Sequence, residues 1–211
     1  IHDSGDNVYA DGQTYKRLNI ANMIALAYQR SGQSAPTTTT TAPTPVVAPA
    51  PAPVPVTTSS SGPFSGTPIA LPGVVEAENF DKGGEGVGYH DLTATNDGGS
   101  YRTSEGVDID SGVDGERGNS VGHIRSGEWT KYTINATQSG TYNVDLRVAS
   151  QGPGGTFHIE VDGADKTGGF TIPQTGSENA WTTITRTGIS LSAGTHSIRL
   201  ICDANGAYGP A

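Results

Sequence analysis

Three stretches of strict two-residue alternation constrain this chain more than anything else in it. Tyr142, Val144, Leu146 and Val148 share one side of their stretch, and Asn143, Asp145 and Arg147 share the other. Phe157, Ile159 and Val161 alternate with His158, Glu160 and Asp162, and His196, Ile198, Leu200 and Cys202 repeat the pattern. A period of two belongs to a strand with one buried and one wet face. Ser139-Gly140, Gly152 to Gly155, Asp162-Gly163 and Ala193-Gly194 supply turns between the stretches. Short strands at this spacing predict an all-β sandwich from about Phe64 onward. Only 16% of the 211 residues are charged and 30 are glycine, a composition that disfavours a helical bundle.

Ahead of the sandwich lie two segments of different character. Asp11-Gly12 is a turn signal, and Thr14 can cap a helix running to about Arg30, with Gly32 stopping it. Leu18, Ala21, Ala25 and Tyr28 follow the helical period, and Ile20, Ile24 and Ala27 widen the apolar stripe. Residues 1–30 are therefore expected to be the tail of an upstream domain, with a short helix over 14–30. Residues 31–66 are expected to be a disordered linker. They hold a run of threonines from Thr37 to Thr41, then Pro43, Pro45, Pro49, Pro51, Pro53 and Pro55 alternating with small residues. Such a sequence favours extended polyproline II and acts as a semi-rigid spacer, at about 3.1 Å per residue. The sandwich domain is expected over 67–211.

Charge, cysteine count and hydropathy narrow the function. Residues 1–30 carry equal numbers of acids and bases, and residues 31–63 carry neither, so the formal net charge of −9 belongs wholly to the sandwich. A domain this acidic has no footprint for a phosphate backbone, so nucleic acid is not an expected partner. The single cysteine, Cys202, alternates with Ile198 and Leu200 and reads as a buried thiol. No apolar run approaches the roughly 18 residues of a spanning helix, so a membrane is not expected either.

Several short motifs then fall in a characteristic order. Val75-Glu76-Ala77-Glu78-Asn79-Phe80 comes first, followed by Asn119-Ser120-Val121-Gly122-His123-Ile124 and Ser126-Gly127-Glu128-Trp129. Thr130 to Ile134, Gly140-Thr141-Tyr142, Leu146 to Ser150, Ala180-Trp181-Thr182-Thr183 and Leu191 to His196 complete the series. This order resembles the family 6 carbohydrate-binding modules from about residue 74 to the end. The resemblance implies a jelly-roll β-sandwich and non-catalytic polysaccharide binding at a loop cleft or on a concave sheet. It also implies a structural calcium near the opening strand, with Glu76 and Glu78 as the metal candidates.

Two positions depart from the family pattern in the loop cleft. His123 stands where an aromatic usually follows Asn-Val-Gly, and Thr175 to Trp181 keeps only the second of two tryptophans, with Glu178 in the altered loop. A closing Asn-x-Asn-Trp strand would follow Pro210, so the domain is expected to be incomplete at its end. Tyr101, in an insertion spanning Tyr89 to Glu116, and Tyr208 are the candidate replacement platforms. On the concave sheet, Trp129 and Glu160 match family positions. Strand parity agrees: with Tyr132 and Ile134 inward, Trp129 and Lys131 face outward, expected beside Asp145, Arg147, Glu160 and Arg199. An exposed indole offers a flat apolar face to a pyranose ring while charges around it bond the hydroxyls. A core position is the competing reading for Trp129, and the better one for Trp181.

Other readings stay open. Glu76 and Glu78, two apart on one strand, could be a solvated edge. Asp108-Ile109-Asp110 with Asp114 and Glu116 could hold a hard cation or form an acidic loop in water. Asn135-Ala136-Thr137 is a glycosylation sequon. The expected function is polysaccharide binding (xylan, β-glucan, agarose or cellulose) that holds an attached, secreted, extracellular carbohydrate-active enzyme on its substrate. The alternatives are a fragment of a GDSL-like (SGNH) esterase or a glycoside hydrolase whose active site lies upstream, and a cell-surface adhesin.

Overall fold

The computed structural model describes residues 61–111 and 118–206, together with the backbone of 23–29. Among the described residues thirteen strands follow in chain order. They are β1 (Met23–Gln29), β2 (Ile69–Leu71), β3 (Gly73–Glu76), β4 (Tyr89–His90), β5 (Ile109–Ser111), β6 (Asn119–Val121) and β7 (Trp129–Ala136). Then come β8 (Gly140–Val148), β9 (Thr156–Val161), β10 (Ala164–Asp165), β11 (Phe170–Thr171), β12 (Thr182–Leu191) and β13 (Gly194–Ala204).

One sheet has the order β12-β8-β1-β3, and the other runs β10-β9-β13-β7-β2, with β11 beside β9 and β4 beside β7. The two close on each other because each long strand alternates. Tyr132 and Ile134 of β7, and Tyr142 and Leu146 of β8, are fully buried. Phe157, Ile159, Ile198 and Cys202 join the same core, so the buried thiol expected at Cys202 is found. Burial pushes that thiol's pKa up to about 12, which makes it a poor nucleophile. The fold is the expected all-β sandwich of jelly-roll type. The predicted Asp162-Gly163 turn is present, and both residues take positive φ, 51° and 76°, the conformation of a type I′ hairpin.

Over Met23–Gln29 a strand stands where the helix was expected. Residues 23–29 are a strand inserted between β3 and β8, and the rest of the 14–30 span lies outside the described residues. The register pairs Ile24 with Leu146, Leu26 with Val144 and Tyr28 with Tyr142. The helical stripe expected through Ile24, Ala25, Ala27 and Tyr28 gives way to pairing with strands on both sides.

Gly62 and Phe64, which the expected boundary leaves in the linker, contact the sandwich. Gly62 bridges to Lys82, and Phe64 packs near Arg102 and Tyr101. Asn135 sits inside β7 between β13 and β2, so the sequon is built into a paired strand.

Candidate functional site

The outward side of the second sheet carries two adjacent rungs of chemistry. Pairing across three strands aligns Glu160 of β9, Arg199 of β13 and Lys131 of β7. The neighbouring rung aligns His158, Ile201, Trp129 and, through β4, His90. Trp129 and Ile201 thus form an apolar strip bordered by cations, carboxylates and imidazoles. Across four strands it spans on the order of 14 Å.

Trp129 and Lys131 face outward as strand parity requires, since β7 alternates half-buried and buried along its length. The indole does not offer an open face, however. The Arg199 guanidinium carbon lies 4.0 Å from the ring centroid, and the His90 ring lies 6.4 Å away. Arg199 Nη1 also reaches Glu160 Oε2 at 3.4 Å. His158 holds the other end of the rung, with Nδ1 2.7 Å from Asp203 Oδ1 and Nε2 3.8 Å from Glu160 Oε1. Lys131 Nζ is 3.8 Å from the buried Asp81, which also accepts the N–H and the hydroxyl of Thr133. Beneath the strip, at its His90 end, is a cavity of about 20 Å³ lined in part by Glu128, Asp91 and Trp129. Glu128 accepts the N–H groups of Leu92 and Arg125, which ties two loops together under the strip.

Arg147 does not join this group. It lies on β8 in the opposite sheet, buried, with Nη1 3.5 Å from Thr183 Oγ1. Asp145 is on the same strand and accepts from the Thr185 hydroxyl. Parity places side chains inward or outward but does not assign strands to sheets, and that is why these two were misplaced. His158 and His90 were missed. His158 was legible, because it alternates outward with Glu160. His90 was not, because β4 is only two residues long.

The loop candidates are dispersed. Tyr101 is 39% exposed, donates its hydroxyl to Asn79 Oδ1 and packs 6.1 Å from Phe64. His123 takes a left-handed backbone (φ 53°), with Nε2 3.5 Å from Asp110 Oδ2, and that carboxylate raises its pKa. Glu178 is exposed in the loop preceding β12. That loop borders an open depression of about 360 Å³ lined by Pro173, Gln174, Thr175, Ala180, Trp181 and Thr182. Trp181 packs on the core from one side, in line with its core reading, and its Nε1 has no hydrogen-bond partner among the described residues.

Glu76 and Glu78 are not two apart on one strand. β3 ends at Glu76, and Ala77–Asn79 form a single 3-10 turn that buries Glu78 completely. Among the described residues no group of three His, Cys, Asp or Glu side chains converges as a metal site.

Comparison with known proteins gives a consistent result. The model of the carbohydrate binding module (family 6) matches residues 97–209. The clotting factor G alpha subunit of Tachypleus tridentatus is 32% identical over 101 residues, or 47% of this chain and 15% of that subunit. The chain therefore spans a small part of that relative. CsCBM6-3 from Clostridium stercorarium, solved in complex with cellobiose, superimposes with a TM-score of 0.50 at 21% identity, covering 66% of this chain and 91% of that one. CBM6cm-2 from Cellvibrio mixtus lichenase 5A, solved with cellotriose, is 37% identical over 48% of this chain and 79% of its own, with a TM-score of 0.43.

Proposed function

The chain belongs to the family 6 carbohydrate-binding modules, and from that premise we propose that it binds a polysaccharide along the Trp129–Ile201 strip of the second sheet. The observation that carries this reading is the pair of rungs. An apolar floor two strands wide is flanked by Glu160, Lys131, His158 and His90, which suits a sugar's apolar ring face and its ring of hydroxyls. The cations near the strip are each set against a carboxylate, Arg199 on Glu160 and Lys131 on Asp81. That balance favours an uncharged glycan of the xylan, β-glucan, agarose or cellulose class. The module itself is a non-catalytic binding domain.

The wider role is to hold an attached, secreted carbohydrate-active enzyme at an insoluble substrate, where tethering raises its effective concentration. A structural calcium completes the reading. Buried carboxylate oxygens suit this hard ion in kind, and Glu76 and Glu78 would supply some of its six to eight ligands.

Affinity electrophoresis against xylan, laminarin, agarose and hydroxyethylcellulose, with and without chelator, tests this. Retardation by one glycan that is lost in Trp129→Ala supports it. Retardation that survives Trp129→Ala and is lost in Trp181→Ala would move the site to the depression beside β12.

A further inference from the structure

Resting on the reading that this face binds glycan, we infer that Arg199 is a movable cap on Trp129, and that a sugar ring stacks on the indole only after the guanidinium has left it. A separation of 4.0 Å between guanidinium and ring centroid is contact distance, so nothing fits between them. A pyranose stacking on that face would need the same layer of space. The two occupants of the indole are therefore mutually exclusive.

What holds the cap is slight. Among the described residues its one polar contact is long, 3.4 Å from Arg199 Nη1 to Glu160 Oε2, and its side chain is 36% exposed. The same chain shows what a fixed arginine looks like. Arg102 also lies over an aromatic ring, 3.4 Å from the Phe80 centroid, but it donates to the carbonyl oxygens of Phe80 and Asp81 and pairs with Glu105. Its side chain is only 8% exposed. Backbone acceptors and burial fix Arg102 in place. Arg199 leans on the indole face and on a carboxylate that His158 also approaches, so a ligand able to stack on the ring competes on favourable terms. Arg199 thereby selects for glycans whose ring faces can displace it, making it a specificity-determining residue rather than a direct ligand.

The test separates the cap from the binding reading. Acrylamide quenching of intrinsic fluorescence is measured for the full chain, Arg199→Ala and Arg199→Met, each also in a Trp129→Phe background that leaves Trp181 as the reporter. The expected result is an approximately two-fold higher quenching constant in Arg199→Ala, absent in the Trp129→Phe background. Affinity for whichever of laminarin, xylan or hydroxyethylcellulose the native chain binds should be equal or higher in Arg199→Ala. Unchanged quenching in both Arg199 variants overturns the cap. A loss of affinity of about five-fold or more also overturns it, since Arg199 would then be a ligand in its own right. If quenching rises but no glycan retards any variant, the arginine does cover the indole, and the carbohydrate reading of this face is what fails.

Discussion

Asp162, in the turn that follows β9, and His196 of β13 are joined side chain to side chain, Oδ2 to Nδ1 at 2.6 Å. The other imidazole nitrogen lies 2.9 Å from the carbonyl oxygen of Ser192, and Asp162 Oδ1 accepts the N–H of Ser197. In the charged pair both ring nitrogens donate. The bond to Asp162 raises the His196 pKa, and the same bond lowers that of Asp162. The histidine's contribution to stability is complete below its unfolded pKa of about 6.5 and is lost as pH rises through the folded value. The carboxylate's contribution is present above about 3.8 and is lost as pH falls through its lowered value. The clamp therefore works best between roughly pH 4 and 6.5. NMR titration should place His196 above the ordinary histidine range, and Asp162→Asn should return it there, at a cost of about 1 kcal/mol or less.

Asp108 works in the opposite sense. It is 3% exposed, and burial lifts its carboxyl to about 6 although it accepts the N–H of Asp97. The folded state then holds a proton that the unfolded chain releases near 3.8, so this group lowers stability as pH rises from about 4 to 6. Asn keeps an acceptor for Asp97 and carries no charge. Asp108→Asn should raise the Tm at pH 7.5, by an amount corresponding to at most roughly 3 kcal/mol, and leave it unchanged near pH 3.5. Thermal melts at the two pH values check both halves.

β1 occupies the interior of its sheet, so its backbone groups face β3 on one side and β8 on the other. Ala25→Pro removes a ladder donor and should cost about 2–3 kcal/mol in urea denaturation of the full chain. An unchanged midpoint would show that β1 adds nothing to the sheet.

The Tyr132 hydroxyl is wholly buried, 3.0 Å from the Ala77 carbonyl oxygen and 2.8 Å from Thr130 Oγ1. It anchors the turn that carries Glu78 to the middle of β7. Tyr132→Phe should cost about 1–2 kcal/mol by leaving Ala77 without that donor. If calcium is held at Glu78, the variant should also weaken the dependence of Tm on added calcium, which differential scanning calorimetry reads directly.

Much of this molecule is written in local pattern. The alternation at 142–148, 157–161 and 196–202 determined which side chains would be core, because a strand's period of two is a property of its own backbone. That pattern sufficed for Trp129, Lys131 and Glu160 to be placed outward, and the short motifs in order sufficed for the family. What parity does not carry is adjacency. Arg147 alternates as correctly as Glu160 does, yet β8 went to one sheet and β9 to the other. Only the pairing of β7, β13 and β9 set Arg199 over the indole and His158 against Glu160. For Met23–Gln29 the local signal is a helical stripe, and pairing with β3 and β8, distant in sequence, made the segment a strand instead. Local periodicity settles which face of an element is apolar, but strand order and register depend on the free energy of pairing distant segments, which no single segment encodes.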